Sequence, residues 1–170
     1  MTHYLYYESP VGRLLLAENR AGICRLSYFD TSGESWSEGE TPLLSCAVRQ
    51  LDEYFAGSRT AFDLPLSLTG TDFQRSVWNA LSRIPYGTTC SYQDIAKAIG
   101  RPKACRAVGQ ANNRNPVAII LPCHRVVGQK GTLVGYAGGL AAKEQLLRLE
   151  GGTKSEKCPP VKERANEKNV

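Results

Sequence analysis

Cys123 and His124 are adjacent, at the end of the apolar run PVAIILP and directly before Arg125. A cysteine attacks as its thiolate, and a nearby imidazole or cationic field lowers the thiol pKa, so the pair suits nucleophilic chemistry. Neighbours on an extended chain point to opposite sides. The two can cooperate only if the backbone turns there or a water relays the proton. A histidine base also needs a third group to orient it, and candidates downstream are Glu144 and Glu150. On residue types alone, a buried structural cysteine fits as well as a catalytic one.

Other chemistries find fewer ligands. There is no Cys-x-x-Cys pair, and the only histidines are His3 and His124, against four Cys or His ligands in a structural zinc site. Neither metal nor cofactor is expected. Cys24, Cys46, Cys90, Cys105, Cys123 and Cys158 show no paired spacing, which fits a reducing cytosol better than a disulfide scaffold. No run is apolar for long enough to cross a bilayer. The N-terminus MTHYLYYESP lacks the basic and apolar regions of a signal peptide, so a cytoplasmic protein with no membrane partner is the expectation. The net charge of +5 is unevenly placed. Between Ile95 and Lys143 stand Lys97, Arg101, Lys103, Arg106, Arg114, Arg125, Lys130 and Lys143, with no Asp or Glu. That stretch carries +8 and the remainder −3. A polyanionic partner suits such segregation, because each neutralised phosphate releases counterions; a solvated basic face gives the same count.

These residues need elements to position them. At 170 residues, 42% of them hydrophobic, the chain can bury a core in one domain or two small ones. YLYYE, RLLLA and ICRLSYF are strand formers separated by SPVG and ENRAG, which reads as an antiparallel meander over residues 3 to 29. A polar loop over 30 to 41 precedes a helix with Leu44, Val48, Leu51 and Phe55 at helical spacing. FDLPLSL resembles a last strand or extended linker, and a boundary falls near Gly70. Beyond it, Thr71-x-x-Gln74 and Ser91-x-x-Asp94 are capping-box patterns that each start a helix. Pro102 sits where a further helix, KACRAVGQAN, would open. Two short helices around GRPK make a helix-turn-helix candidate. A Gly-rich stretch and a closing helix, LAAKEQLLRLE, follow, and residues 153 to 170 read as a flexible tail.

LPCHRVVG, with RNPVAI before it and GYAGG and KEQLLRLEG after it, resembles the O6-alkylguanine-DNA alkyltransferase (methylated-DNA–protein-cysteine methyltransferase) family. The likeness is dense from Thr71 to Gly151 and looser before it, through the strands and YFAG. It implies an α+β fold, in which a small N-terminal antiparallel-sheet, ribonuclease H-like domain (1–69) packs on a mostly helical, winged-helix-like C-terminal domain (70–152). It implies a catalytic set in which Cys123 accepts the alkyl group, His124 acts through a water, and Glu150 orients His124. Tyr92 would rotate the target phosphate and protonate guanine N3, and Asn115 would be the hinge between the recognition helix and an active-site strand. Arg106 would fill the base stack, with Lys103, Ala104, Ala107, Gly109 and Arg114 at the DNA, while Val126, Tyr136 and Ala137 would line the guanine pocket. A serine common in some relatives is replaced by Ala137, and a small residue before the hinge by Arg114.

The implied activity is irreversible, single-turnover transfer of a methyl or larger alkyl group from O6-alkylguanine, and from O4-alkylthymine, in duplex DNA. It requires the base to be extruded through the minor groove. The implied partner is alkylated double-stranded DNA, bound by a monomer, with cooperative loading left open. Bland readings stand beside each role. Tyr92 could be an ordinary helix-start aromatic, Arg106 a plain phosphate contact, Asn115 a turn before Pro116 and Glu150 a solvated helix end. Three other classes compete. A lesion binder without transfer would lack the cysteine, a cysteine hydrolase would need an oxyanion hole, and a plain helix-turn-helix regulator would leave PCHRV unexplained.

Overall fold

The computed structural model describes residues 1–151; the tail expected over 153–170 lies outside them. Turns at Ser9–Gly12 and Asn19–Gly22 fold β1 (Thr2–Ser9), β2 (Gly12–Asn19) and β3 (Gly22–Ser27) into the antiparallel meander. The stretch expected as pure loop adds β4 (Ser37–Glu38), which pairs parallel with β1 and gives the sheet order β3-β2-β1-β4. The FDLPLSL segment is not a full strand. It joins β3 through the hydrogen bonds Ile23 N to Pro65 O and Ser67 N to Ile23 O, both 2.8 Å, because Pro65 has no N–H to continue a ladder.

Helix α1 (Pro42–Phe55) opens on Thr41, whose side chain caps Leu44 N. It buries Leu44, Ala47, Leu51 and Tyr54 rather than Val48 and Phe55, so its core face is turned slightly from the expected stripe. The helical half starts at α2 (Asp72–Leu81), and both predicted capping boxes form, at Thr71/Gln74 and Ser91/Asp94. Gly70 allows no side chain here, since a Cβ would meet the Trp78 ring at 2.5 Å. Helix α3 (Tyr92–Ala98) and helix α4 (Cys105–Asn113) pack on each other and on α2, forming the helix-turn-helix. The second helix starts at Cys105, three residues later than Pro102 suggests. Residues 101–104 instead close a turn, with Ala104 N bonded to Arg101 O and Gln93 Nε2 to Pro102 O, both at 2.9 Å.

The run PVAIILP is not a strand. Val117 bridges Leu26, the chain bends back so that Leu121 N bonds Val117 O, and Ile119 adopts φ 71°. A β-branched residue there is strained. A 3₁₀ turn follows at Cys123–Arg125, then β5 (Cys90–Ser91) and β6 (Val126–Val127) pair parallel, and α5 (Leu140–Leu149) closes the fold. The architecture is α+β, a sheet-and-helix half on a mostly helical half. Among the described residues Cys24, Cys46, Cys105 and Cys123 are free. No helix among the described residues is long and apolar enough to cross a membrane, and no group there of three or more His, Cys, Asp or Glu could hold a metal ion.

Candidate active site

The backbone turns where the chemistry requires it. The 3₁₀ turn at Cys123–Arg125 lets three consecutive side chains, Cys123, His124 and Arg125, all be buried. Of the two candidate acids, Glu150 at the end of α5 meets His124, with Nε2 2.8 Å from Oε2. Glu144 pairs instead with exposed Arg148 on the surface. Glu150 also accepts from Arg125 Nε at 2.7 Å, Arg125 Nη2 at 3.0 Å and the Tyr54 hydroxyl at 2.5 Å. Burial alone would push the Glu150 carboxyl up, but the His124 and Arg125 hydrogen bonds and charges outweigh it and hold the carboxyl at about 2. An ionised carboxylate only accepts, so the proton between the two groups belongs to His124 Nε2. The lone pair then falls on Nδ1, which is buried and has no hydrogen-bond partner.

Burial also keeps His124 neutral by lowering its pKa. The Cys123 thiol is pushed up by burial, while a hydrogen bond with Asn115 and the charge of Lys143 pull it down. Lys143 is fully buried on α5. Its Nζ donates to the carbonyls of Val126 at 2.6 Å, Val134 at 2.8 Å and Gly135 at 3.4 Å. Burial lowers it to about 8, so near neutral pH it is a cation near the thiol. That cation ties the Gly-rich stretch to β6.

Asn115 leaves α4 with its Oδ1 accepting from Val117 N at 2.9 Å and its Nδ2 donating to Leu121 O at 2.8 Å. These two bonds close the bend that carries Cys123. Tyr92, the first residue of α3, packs its ring on Gly109 of α4 and donates from its hydroxyl to Val134 O at 3.1 Å. Burial, and then the charge of a Cys123 thiolate, raise its pKa and keep the phenol protonated. Tyr136 bonds the Tyr28 hydroxyl at 2.7 Å, and Gly138 has no room for a Cβ, which would lie 2.5 Å from the Tyr28 ring. The sheet half therefore reaches the site. Val126 is buried and Ala137 exposed. Arg106, Ala107 and Arg114 are exposed along α4, Lys103 is exposed just before it, and Ala104 is its half-buried N-cap.

Of the eight basic residues in the charged stretch, Arg125 and Lys143 are buried and unavailable to a polyanion. Six remain exposed. Tyr54, Arg125, Lys143 and Tyr28 escape the sequence reading. A signal for Lys143 exists: Lys143, Leu146, Leu147 and Glu150 share one buried face of α5, where an apolar stripe should hold no charge.

A buried cysteine–histidine–carboxylate site beside a helix-turn-helix defines a class of protein that does nucleophilic chemistry at a nucleic acid. Family models for the DNA-binding domain and the ribonuclease-like domain of 6-O-methylguanine DNA methyltransferase match residues 72–152 and 2–68. The chain is 53% identical over 154 residues to the methylated-DNA–protein-cysteine methyltransferase of Methanosarcina acetivorans, covering 88% of this chain and 98% of that one. It is 50% identical over 158 residues to the constitutive enzyme of Bacillus subtilis, covering 88% and 96%. The crystal structure of Mycobacterium tuberculosis OGT in complex with DNA superposes with a TM-score of 0.83 at 51% identity, covering 88% and 92%. The chain belongs to the methylated-DNA–protein-cysteine methyltransferase family.

Proposed function

We propose that this protein repairs DNA by moving the alkyl group of O6-alkylguanine onto the sulfur of its own Cys123. The observation that carries the reading is the buried His124–Glu150 pair, 2.8 Å apart, behind that cysteine. The duplex docks on α4 from the minor groove and the lesion is extruded, since an alkyl carbon inside the stack is out of reach. Arg106 fills the vacated stack. His124 Nδ1, through a water, takes the thiol proton. The thiolate attacks the alkyl carbon, the carbon–O6 bond breaks, and the departing guanine takes a proton from Tyr92 at N3. To do so Tyr92 exchanges its bond to Val134 O for one to the base. The His124 imidazolium then returns its proton to the Tyr92 phenolate through water, so that in balance one proton passes from thiol to guanine and the alkyl group passes to sulfur. A thioether is not hydrolysed by any group in the site, so each molecule acts once.

The same pocket is proposed to take O4-alkylthymine. The domain limits at 1–69 and 70–152, action as a monomer and a cytoplasmic location belong to this reading. Val126, Tyr136 and Ala137 are its pocket residues.

Single-turnover transfer from a methylated duplex, followed against pH, tests the reading. Burial depresses His124, so its neutral form, the proton acceptor, persists below the ordinary histidine value. Transfer is expected to hold down to about pH 6.5 and to fall only below it. An acid limb centred above that value would contradict a neutral His124 base, and no transfer at any pH would contradict the function.

A further inference from the structure

We propose that Arg25 and Arg114 form a phosphate site that holds a backbone phosphate of the bound duplex, so that the N-terminal sheet itself grips DNA; this rests on the DNA-repair reading above. Leu26 N bonds Pro116 O and Ala118 N bonds Leu26 O, both at 2.9 Å, which lays β3 beside the segment leaving α4. Leu26 is fully buried in the core. Its neighbour Arg25 faces the other way, into the cleft that Pro116 and Arg114 also line. Both arginines line a cleft of about 370 Å³ with Asn19, Ser67, Thr69 and Gln74, and no carboxylate lines it among the described residues.

The guanidiniums are uncompensated. Arg25 Nε is buried without a hydrogen-bond partner, and neither arginine has an ion pair among the described residues. A buried charged N–H left without an acceptor is costly, and a tetrahedral oxyanion is what two such forks hold best. Arg114 is also the C-cap of α4, where a cation offsets the negative helix end. That role accounts for Arg114 alone and leaves Arg25, on a different element, unexplained. Arg106, Gln110 and Arg114 are exposed at i, i+4 and i+8 of one helix face. Eight residues at helical rise put Arg114 about 12 Å from Arg106, a span of roughly three to four base-pair steps. The strand that Arg106 enters thus passes the mouth of the cleft.

The test is duplex binding by fluorescence anisotropy between 50 and 200 mM salt (about the range over which counterion release is read), for wild type, Arg25→Met and Arg25→Lys. Wild type is expected to show a log–log slope of about −4 to −5. Arg25→Met should lower its magnitude by about one and weaken binding roughly tenfold, with Arg25→Lys between the two. Its thermal midpoint should hold or rise, because the group removed has no partner. An unchanged slope and affinity in Arg25→Met overturns the proposal, as does a lowered thermal midpoint that accounts for the lost binding. Inorganic phosphate, titrated calorimetrically at low ionic strength, distinguishes the source. Phosphate binding lost in Arg25→Met while the duplex slope is unchanged overturns the duplex assignment in favour of a free phosphate. If wild type itself fails to bind or repair the duplex, the repair reading fails instead.

Discussion

Glu150→Gln is expected to slow alkyl transfer by on the order of 10²-fold and to destabilise the fold by roughly 3–5 kcal/mol, while duplex affinity stays nearly unchanged. The carboxylate accepts from Tyr54, from His124 and from Nε and Nη2 on one edge of the Arg125 guanidinium. An amide there offers one acceptor and a competing donor. Arg125 would keep its bond to Ile84 O at 2.7 Å but lose its counter-charge, and removing one partner of a buried pair leaves the other charge uncompensated. His124 would lose the group that fixes its tautomer. None of these residues lies on the exposed face of α4, so binding should hold. The acid behaviour follows with a definite sign. Glu150 is held at about 2, below its unfolded value near 4.3. Its stabilisation is fully present above about pH 5 and is lost as pH falls toward 2, roughly 3 kcal/mol in all. Wild type should therefore lose stability over that window while Glu150→Gln does not. Tyr54→Phe removes one bond and no charge, so it should cost about 1 kcal/mol and leave transfer close to wild type. Normal single-turnover rates in Glu150→Gln, measured well below its melting point, would reduce Glu150 to a structural ion-pair partner.

Arg106→Ala separates base extrusion from groove binding. Arg106 is exposed at the second residue of α4. If it only contacts a phosphate, the change should weaken binding uniformly and lower the salt slope by about one. If it fills the gap left by the extruded guanine, transfer from duplex DNA should fall much further than binding does. Free O6-alkylguanine needs no extrusion, so its reaction should be nearly untouched. Arg106→Lys should rescue little, because a planar guanidinium stacks and an ammonium does not. The measurement is a pair of single-turnover rates, duplex and free base, for each protein. Equal fractional loss on both substrates would exclude the stacking role.

The elements were legible where local chemistry decides them. Turn residues delimit β1 to β3, and side-chain capping at Thr71 and Ser91 starts helices as their spacing predicts. Legibility fails where tertiary contacts override local signals. Residues 116–122 have the composition of a buried strand, yet Asn115 ties the chain into a bend with Ile119 at positive φ. Pro102 suits a first helical position but belongs to the turn before α4, which starts at Cys105. In the site, Cys123, His124 and Glu150 follow from the motif. Tyr54 and Tyr28 come from the other half of the molecule, and no spacing reports an approach across 96 or 108 residues. Arg125 adds to the charge of the basic stretch yet is buried, since a composition count carries no burial.

The central claim is that the Cys123 sulfur is the final acceptor, once per molecule. The most direct measurement is intact-protein mass after incubation with excess methylated duplex, followed by peptide mapping. The account predicts one added methyl group per protein, on the peptide that holds Cys123, with no further turnover as duplex is added. More than one lesion repaired per molecule, or the added mass on Cys24 or another cysteine, would contradict it.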